Sequence, residues 1–232
     1  MTEAMTSART LYMQGTYVLT CEARVTGTGV DPKYGRYVRL DQTVFHPQGG
    51  GQLSDIGRIN EVAITHVSKL PLAAGHQFDV LHHYKGEEDL FVPGQEVSCV
   101  VDGERRTSAA KWHSAGHLLS AVVERLFPHV KGVNAHHFPG EARVEFTLES
   151  GEFPTKAEVE ARLPTAFQEE LAAAKPVIVD NHSDLRTIQY GDHRAVPCGG
   201  THVENTSEIP SVSIRKVEIK KGKMTIGYDL TA

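Results

Sequence analysis

The sequence predicts an α+β protein in which a small β-barrel or sandwich is followed by a mixed half. Three observations carry that reading. Short apolar runs separated by turn signals fill residues 1–103. Helical periodicity begins just after them. Strand-like runs then close the chain, the last two arranged as a hairpin.

In the first half the predicted strands are Tyr17–Cys21, Tyr37–Leu40, Val62–Thr65, Gln77–Val80 and Glu96–Val101. The punctuation between them is Gly27-Thr-Gly29, Asp31-Pro32, the Gly49–Gly51 triplet and Pro93-Gly94. Near residue 104 the pattern changes. Thr107 or Ser108 is the expected cap of a helix whose apolar positions are Trp112, Ala115, Leu118, Leu119, Val122, Val123 and Leu126. Pro154-Thr155 starts a second helical stretch, with Thr155 and Glu158 as a capping box. Pro164 interrupts it, giving one kinked helix or two, ending near Lys175-Pro176. Arg143–Leu148, Val177–Asp180 and Ile188–Tyr190 read as strands. Val212–Ile219 and Met224–Tyr228 read as a hairpin turning through Lys221-Gly222-Lys223. The composition shift predicts domains 1–103 and 104–232, the Gly-Gly-Gly-Gln loop lying in the first. No linker separates them, and there are no repeats.

The 232 residues, 40% hydrophobic and 23% charged with a net charge of -5, describe a globular chain with a sizeable core and exclude a disordered one. No run approaches the length of a transmembrane helix. The first ten residues are polar and carry no secretory signal. Cys21, Cys99 and Cys198 are too few and scattered for a disulfide framework, so reduced thiols in the cytoplasm are expected. The acidic balance argues against a nucleic-acid partner. The 13 histidines stand out, because histidine is the commonest metal ligand.

His113 and His117, at i and i+4, share one helix face, and one metal ion fits between such imidazoles. Cys198 and His202 lie four apart in a glycine-containing loop. Either pair alone is weak; together they supply three imidazoles and a thiolate, a set that suits tetrahedral zinc. A zincin protease needs Glu after its first histidine, and Ser114 stands there instead. His46, His66, His76, His82, His83, His129, His136, His182 and His193 read as surface or hydrogen-bonding residues. His137 is kept as a pocket candidate with no motif behind it. The loop Phe45–Gln52 is neither a Walker loop nor a Rossmann fingerprint; its glycines permit close approach of a partner, or simply a turn. Arg105, Arg106 and Lys111, and the basic hairpin Arg215, Lys216, Lys220, Lys221 and Lys223, are candidate phosphate contacts, or a solvated surface.

His113-Ser-Ala-Gly-His117-Leu-Leu119 together with Val196-Pro-Cys198-Gly-Gly-Thr-His202-Val203 resembles the editing domain shared by alanyl-tRNA synthetase and the free-standing AlaX editing proteins. The second additional domain of threonyl-tRNA synthetase has the same skeleton. The loop Gly49–Gln52 on a preceding β-domain resembles the medium-length AlaX type. The resemblance runs from about residue 15 to 228. It implies an N-terminal β-barrel, an α+β editing domain and a zinc-dependent hydrolase that deacylates mischarged tRNA, chiefly seryl-tRNA(Ala) and in some members glycyl-tRNA(Ala).

Carried over by position, His113, His117, Cys198 and His202 are the zinc ligands. Gly50, Gly51 and Gln52 shape the pocket or its tRNA contact, and Thr201 lines it. Correction in trans is expected, without ATP and away from membranes. No protein base stands beside the ligands, which leaves a water at the metal or the tRNA's terminal hydroxyl. Where the family more often has Thr stands Ser114, and Ile209-Pro210 replaces Ile-Gly. Val133–Gly140 also departs from the alanyl pattern, and Asn134 is the candidate there for reading a hydroxyl. Amino-acid specificity is therefore open. The alternatives are a non-catalytic structural-zinc module that binds tRNA, an editor of another tRNA such as Ser-tRNA(Thr), and a zinc hydrolase of small esters.

Overall fold

The computed structural model describes residues 7–72, 78–181 and 185–231. Residues 1–6, His76, Gln77 and His182, included in the sequence reading, lie outside the described residues. The chain divides into two compact units, Met1–Gly49 with Leu53–Thr107, and Gly50–Gln52 with Ser108–Ala232. The boundary thus falls past residue 103, and Gly50–Gln52 group with the second unit rather than the first. The reason is Gln52, whose side chain is bonded to His113 and Thr201 of that unit.

Among the described residues, eight strands build the first unit: β1 (Arg9–Thr10), β2 (Thr20–Asp31), β3 (Gly35–Leu40), β4 (Gln42–Thr43), β5 (Gly57–Ile59), β6 (Val62–Pro71), β7 (Phe78–Tyr84) and β8 (Glu96–Val101). Alternation drives them. In β2, Ala23 and Val25 are buried while Glu22, Arg24 and Thr26 face solvent, and β8 buries Val97, Cys99 and Val101. The antiparallel pairs β2–β3, β3–β7, β7–β6, β6–β5, β5–β8 and β8–β2 close the sheet on itself as a barrel. Closure removes the open edges of the sheet. Gly27-Thr-Gly29 lies inside β2 rather than at a turn, beside a bulge between Val25 and Gly27. The reversal comes after Asp31, whose Oδ1 accepts from the amides of Lys33 and Tyr34. Cys21 and Cys99, far apart in sequence, stand opposite each other across β2 and β8 as free thiols.

The second unit contains α1 (Gly103–Leu126, which begins in the first unit), β9 (Val130–His136), β10 (Arg143–Leu148), α2 (Lys156–Ala172), β11 (Val177–Asp180), β12 (Thr187–Tyr190), β13 (Val196–Pro197), β14 (Val212–Lys220) and β15 (Lys223–Leu230). Helix α1 starts before the expected Thr107 or Ser108, because Asp102 Oδ1 caps it by accepting from Arg105 N at 2.9 Å. The capping box of α2 forms as expected, and the helix runs through Pro164 without dividing. One sheet has the order β14-β15-β10-β9, another β11-β12-β13. Leu118, Leu119, Val122 and Val123 of α1 share a core with Phe146, Ile226, Leu163 and Phe167. The α+β class read from the sequence holds. Among the described residues no helix is long and apolar enough to cross a membrane.

Arg106 does not face solvent as a phosphate contact would. It is fully buried in the first unit. Its Nε donates to both Asp55 oxygens at 3.0 Å, and its terminal nitrogens donate to Thr16 O at 2.8 Å and Val44 O at 2.5 Å. The ion pair with Asp55 ties the start of α1 to the loop before β5. Removing one partner of such a pair strands a buried charge. Arg106→Met is therefore expected to lower unfolding stability by about 3–5 kcal/mol, read from urea denaturation. A loss below 1 kcal/mol sinks this assignment.

His82 is a satisfied core histidine. Its Nδ1 donates to Val38 O at 3.0 Å and its Nε2 accepts from Thr43 Oγ1 at 2.7 Å. Burial pushes its pKa down to about 4. The folded state therefore binds the proton less readily than the unfolded chain, near 6.5. Its contribution is complete above pH 6.5 and is lost as pH falls through about 4, on the order of 3 kcal/mol for that shift. In metal-free protein, NMR of the His82 ring should show no titration between pH 7 and 5; protonation near pH 6.5 refutes it.

Candidate metal centre

Within the second unit, His113, His117, Cys198 and His202 present four ligand atoms within 4.8 Å of one another. The helix supplies the first two because residues four apart fall on one face. The loop after β13 supplies the others. Gly200 is needed there, since a Cβ would come within 2.1 Å of His113 Cε1 and 2.6 Å of Gln52 Oε1. His113 Nε2 lies 3.2 Å from His117 Nε2 and 3.6 Å from Cys198 Sγ, and His202 Nε2 lies 3.3 Å from that sulfur. A tetrahedral ion with bonds of about 2.0–2.1 Å to nitrogen and 2.3 Å to sulfur sets ligand atoms about 3.3–3.6 Å apart. The donor set suits such an ion and these three separations match it, while the four atoms together spread to within 4.8 Å of one another.

A second layer orients the imidazoles. His113 Nδ1 donates to Gln52 Oε1 at 2.7 Å. The same oxygen accepts from Thr201 N at 3.0 Å, and Gln52 Nε2 donates to Thr201 Oγ1 at 2.7 Å. His202 Nδ1 meets the Tyr190 hydroxyl at 2.8 Å. Both contacts leave Nε2 to face the cluster, as metal ligation requires. Ser114 Oγ accepts from Val203 N, joining the helix to the cysteine loop. Burial pushes His117 down to about 4 and His137 to about 3, which keeps both imidazoles neutral.

A cleft of about 250 Å³ opens beside His117, and Gly116, Glu124, Asn134 and His137 line it too. An adjoining cavity of about 360 Å³ shares His117 and Glu124 and adds Arg125, Lys131 and Tyr190; Arg194 lines both. Gln52 and Thr201 are buried with their polar groups turned to each other and to His113. They brace the centre. Gly51 O accepts from His137 N, and Gly50 is exposed.

The predicted phosphate contacts are not among the residues lining these two cavities. Arg105 Nε donates to Ser54 O. On the terminal hairpin Arg215 is bonded to Asp229, Lys216 to Glu218 and Lys223 to Glu145, while Lys220 and Lys221 are exposed at the turn. Sequence reasoning missed Tyr190, Tyr228 and Glu124. Tyr190 ends a strand that had been recognised, and only the fold points its hydroxyl at His202.

The site defines a chain of the class with a His/Cys centre braced by glutamine and tyrosine. Residues 185–226 match the family model described as "Threonyl and Alanyl tRNA synthetase second additional domain". The alanine–tRNA ligase of Sulfurisphaera tokodaii is 28% identical over 97% of this chain and 26% of its own length. That of Acholeplasma laidlawii is 31% identical over 77% of this chain and 22% of its own. That of Pyrobaculum neutrophilum is 30% identical over 90% and 25%. The chain spans about a quarter of the length of these relatives. Over most of its length the chain is similar to a segment of alanyl-tRNA synthetases, as the paired motifs implied.

If Gln52 sets the orientation of His113, Gln52→Leu should weaken metal affinity about 10–100-fold. Competition with a chromogenic chelator measures this; unchanged affinity would remove Gln52 from the centre.

Proposed function

We propose that the chain is a hydrolase that deacylates mischarged aminoacyl-tRNA, with seryl-tRNA(Ala) as the foremost substrate and glycyl-tRNA(Ala) as the second, and that His113, His117, Cys198 and His202 hold zinc. The observation that carries this reading is the convergence of those four donors beside a cleft of amino-acid size. The relationship to alanyl-tRNA synthetases supports tRNA as the partner. Zinc bound there supplies Lewis-acid polarisation of an ester carbonyl and lowers the pKa of a coordinated water.

The chain's own residues do the rest. Gln52 and Tyr190 hold His113 and His202 in the ligating tautomer. Gly116 leaves room for the His137 ring against the helix, and the Glu124 carboxylate lines the cleft as a partner for the substrate ammonium. Arg125, Lys131 and Arg194 border the adjoining cavity, where the phosphates of a tRNA 3′ end find cationic partners. Thr201 anchors Gln52.

Deacylation of Ser-, Gly- and Ala-tRNA(Ala) and Ser-tRNA(Thr), with metal content determined in parallel, tests the proposal. Wild type should release serine, and Cys198→Ala should lower kcat/KM by at least about 10²-fold. Inactivity of wild type on every mischarged tRNA rules the reading out. The count of four donors favours a second reading, a closed structural site on a tRNA-binding module. There, chelation would lower the melting temperature while no ester turned over.

A further inference from the structure

We infer that His137 accepts a hydrogen bond from the side-chain hydroxyl of the esterified amino acid and so separates a hydroxylated ester from the alanyl one. This rests on the editing reading above.

The ring is held on several sides. A Cβ on Gly116 would lie 2.1 Å from its Cε1 and 2.3 Å from its Nδ1, so the imidazole packs directly on the helix backbone between the two ligating histidines. A Cβ on Gly51 would lie 3.1 Å from Cδ2. The Tyr228 hydroxyl donates to Trp112 O at 2.9 Å, so its own proton is engaged. Its oxygen then accepts from His137 Nδ1 at 2.8 Å. An imidazole with its proton on Nδ1 carries a lone pair on Nε2. That nitrogen has no hydrogen-bond partner among the described residues, while His137 lines the cleft together with Gly116, His117 and Asn134.

An aminoacyl ester in this cleft offers three polar groups. The carbonyl oxygen has no proton to give. The ammonium is matched by the Glu124 carboxylate, which lines the same cleft and whose Oε1 accepts from Gly132 N. The side-chain hydroxyl is the neutral donor that suits a neutral acceptor. An alanyl methyl in its place would strip water from Nε2 and return nothing, which a buried acceptor penalises. A site built around such a bond discriminates far better than one that merely excludes by size.

The test compares kcat/KM for seryl-, glycyl- and alanyl-tRNA in wild type, His137→Asn, His137→Gln and His137→Phe, with metal content and melting temperature recorded for each. Asn keeps an N–H at the δ position for Tyr228 but has no atom at ε, whereas Gln restores one there. The seryl-to-glycyl ratio is expected to fall about 10- to 100-fold in His137→Asn and His137→Phe and to recover in His137→Gln. An equal fall for all three esters overturns the inference, as does rescue by Asn but not Gln, which would mark a mere prop for Tyr228. Wild-type turnover with a ratio unchanged in His137→Asn overturns it alone. A wild type that hydrolyses no aminoacyl-tRNA overturns both it and the reading beneath it.

Discussion

The Gln52 carboxamide is the point on which the arrangement of the second unit's centre depends. One oxygen accepts from the His113 ring and from the Thr201 backbone, and the amide nitrogen donates to the Thr201 hydroxyl. The helix that carries His113 and the loop that carries Cys198 and His202 are thereby joined through a single planar group. Neither element alone sets the distance between the two ligand pairs. A carboxamide is suited to this task because it offers donor and acceptor at fixed separation. A carboxylate would offer the Thr201 hydroxyl only an acceptor and would add a charge to a buried position, where uncompensated charge is expensive.

The same requirement explains why the glycine loop groups with the second unit although its neighbours on both sides belong to the first. Gly51 O accepts from His137 N, so the loop is held by backbone as well as by Gln52. One short segment thus contacts a ligand histidine and the histidine that lines the cleft. Tyr190 acts on His202 as Gln52 acts on His113. Two histidines of the cluster are therefore oriented by partners from outside their own helix or loop, and the geometry is largely set before any ion arrives.

Much of this was legible in the sequence, and the limits have physical causes. The strands β8 and β10 and the capping box of α2 follow from local alternation and local hydrogen bonding, so a single sequence displays them. The two pairs that cluster, His113 with His117 and Cys198 with His202, were legible because helical spacing and loop spacing are themselves local. The start of α1 was misjudged because Asp102 precedes the apolar stripe, which begins at Trp112, by nearly three turns, and its cap is visible only as a side-chain bond to Arg105 N. Gly27-Thr-Gly29 looked like a turn, yet its pairing with Arg39, Val38 and Tyr37 of β3 keeps it extended. Gln52, Tyr190 and Tyr228 act across sequence separations of 61, 12 and 91 residues. No periodicity reports such contacts. Arg106 read as a surface cation because it sits beside Arg105, but a partner 51 residues away neutralises it in the interior.

Net charge was the least informative of the early observations. An overall balance of -5 averages over groups that never meet a ligand. Arg106 and Asp55 cancel inside the first unit, Arg215 and Lys216 each lie against an acid on the hairpin, and Lys223 lies against Glu145 of β10. What a phosphate would meet depends on cations near one another and near solvent. Arg125, Lys131 and Arg194 border one cavity, facing Glu124 and Asp192. Their acidic partners hold them at ranges of 3.3 Å and beyond, in loosely paired positions. Arg194, the most exposed of the three, meets Glu124 only at 3.8 Å, and so loose a pair contributes little to stability, so an anionic backbone can engage Arg194 at small loss. An acidic chain can therefore still offer a local cationic surface beside its His/Cys cluster, and any attraction of phosphates there would fall steeply with salt.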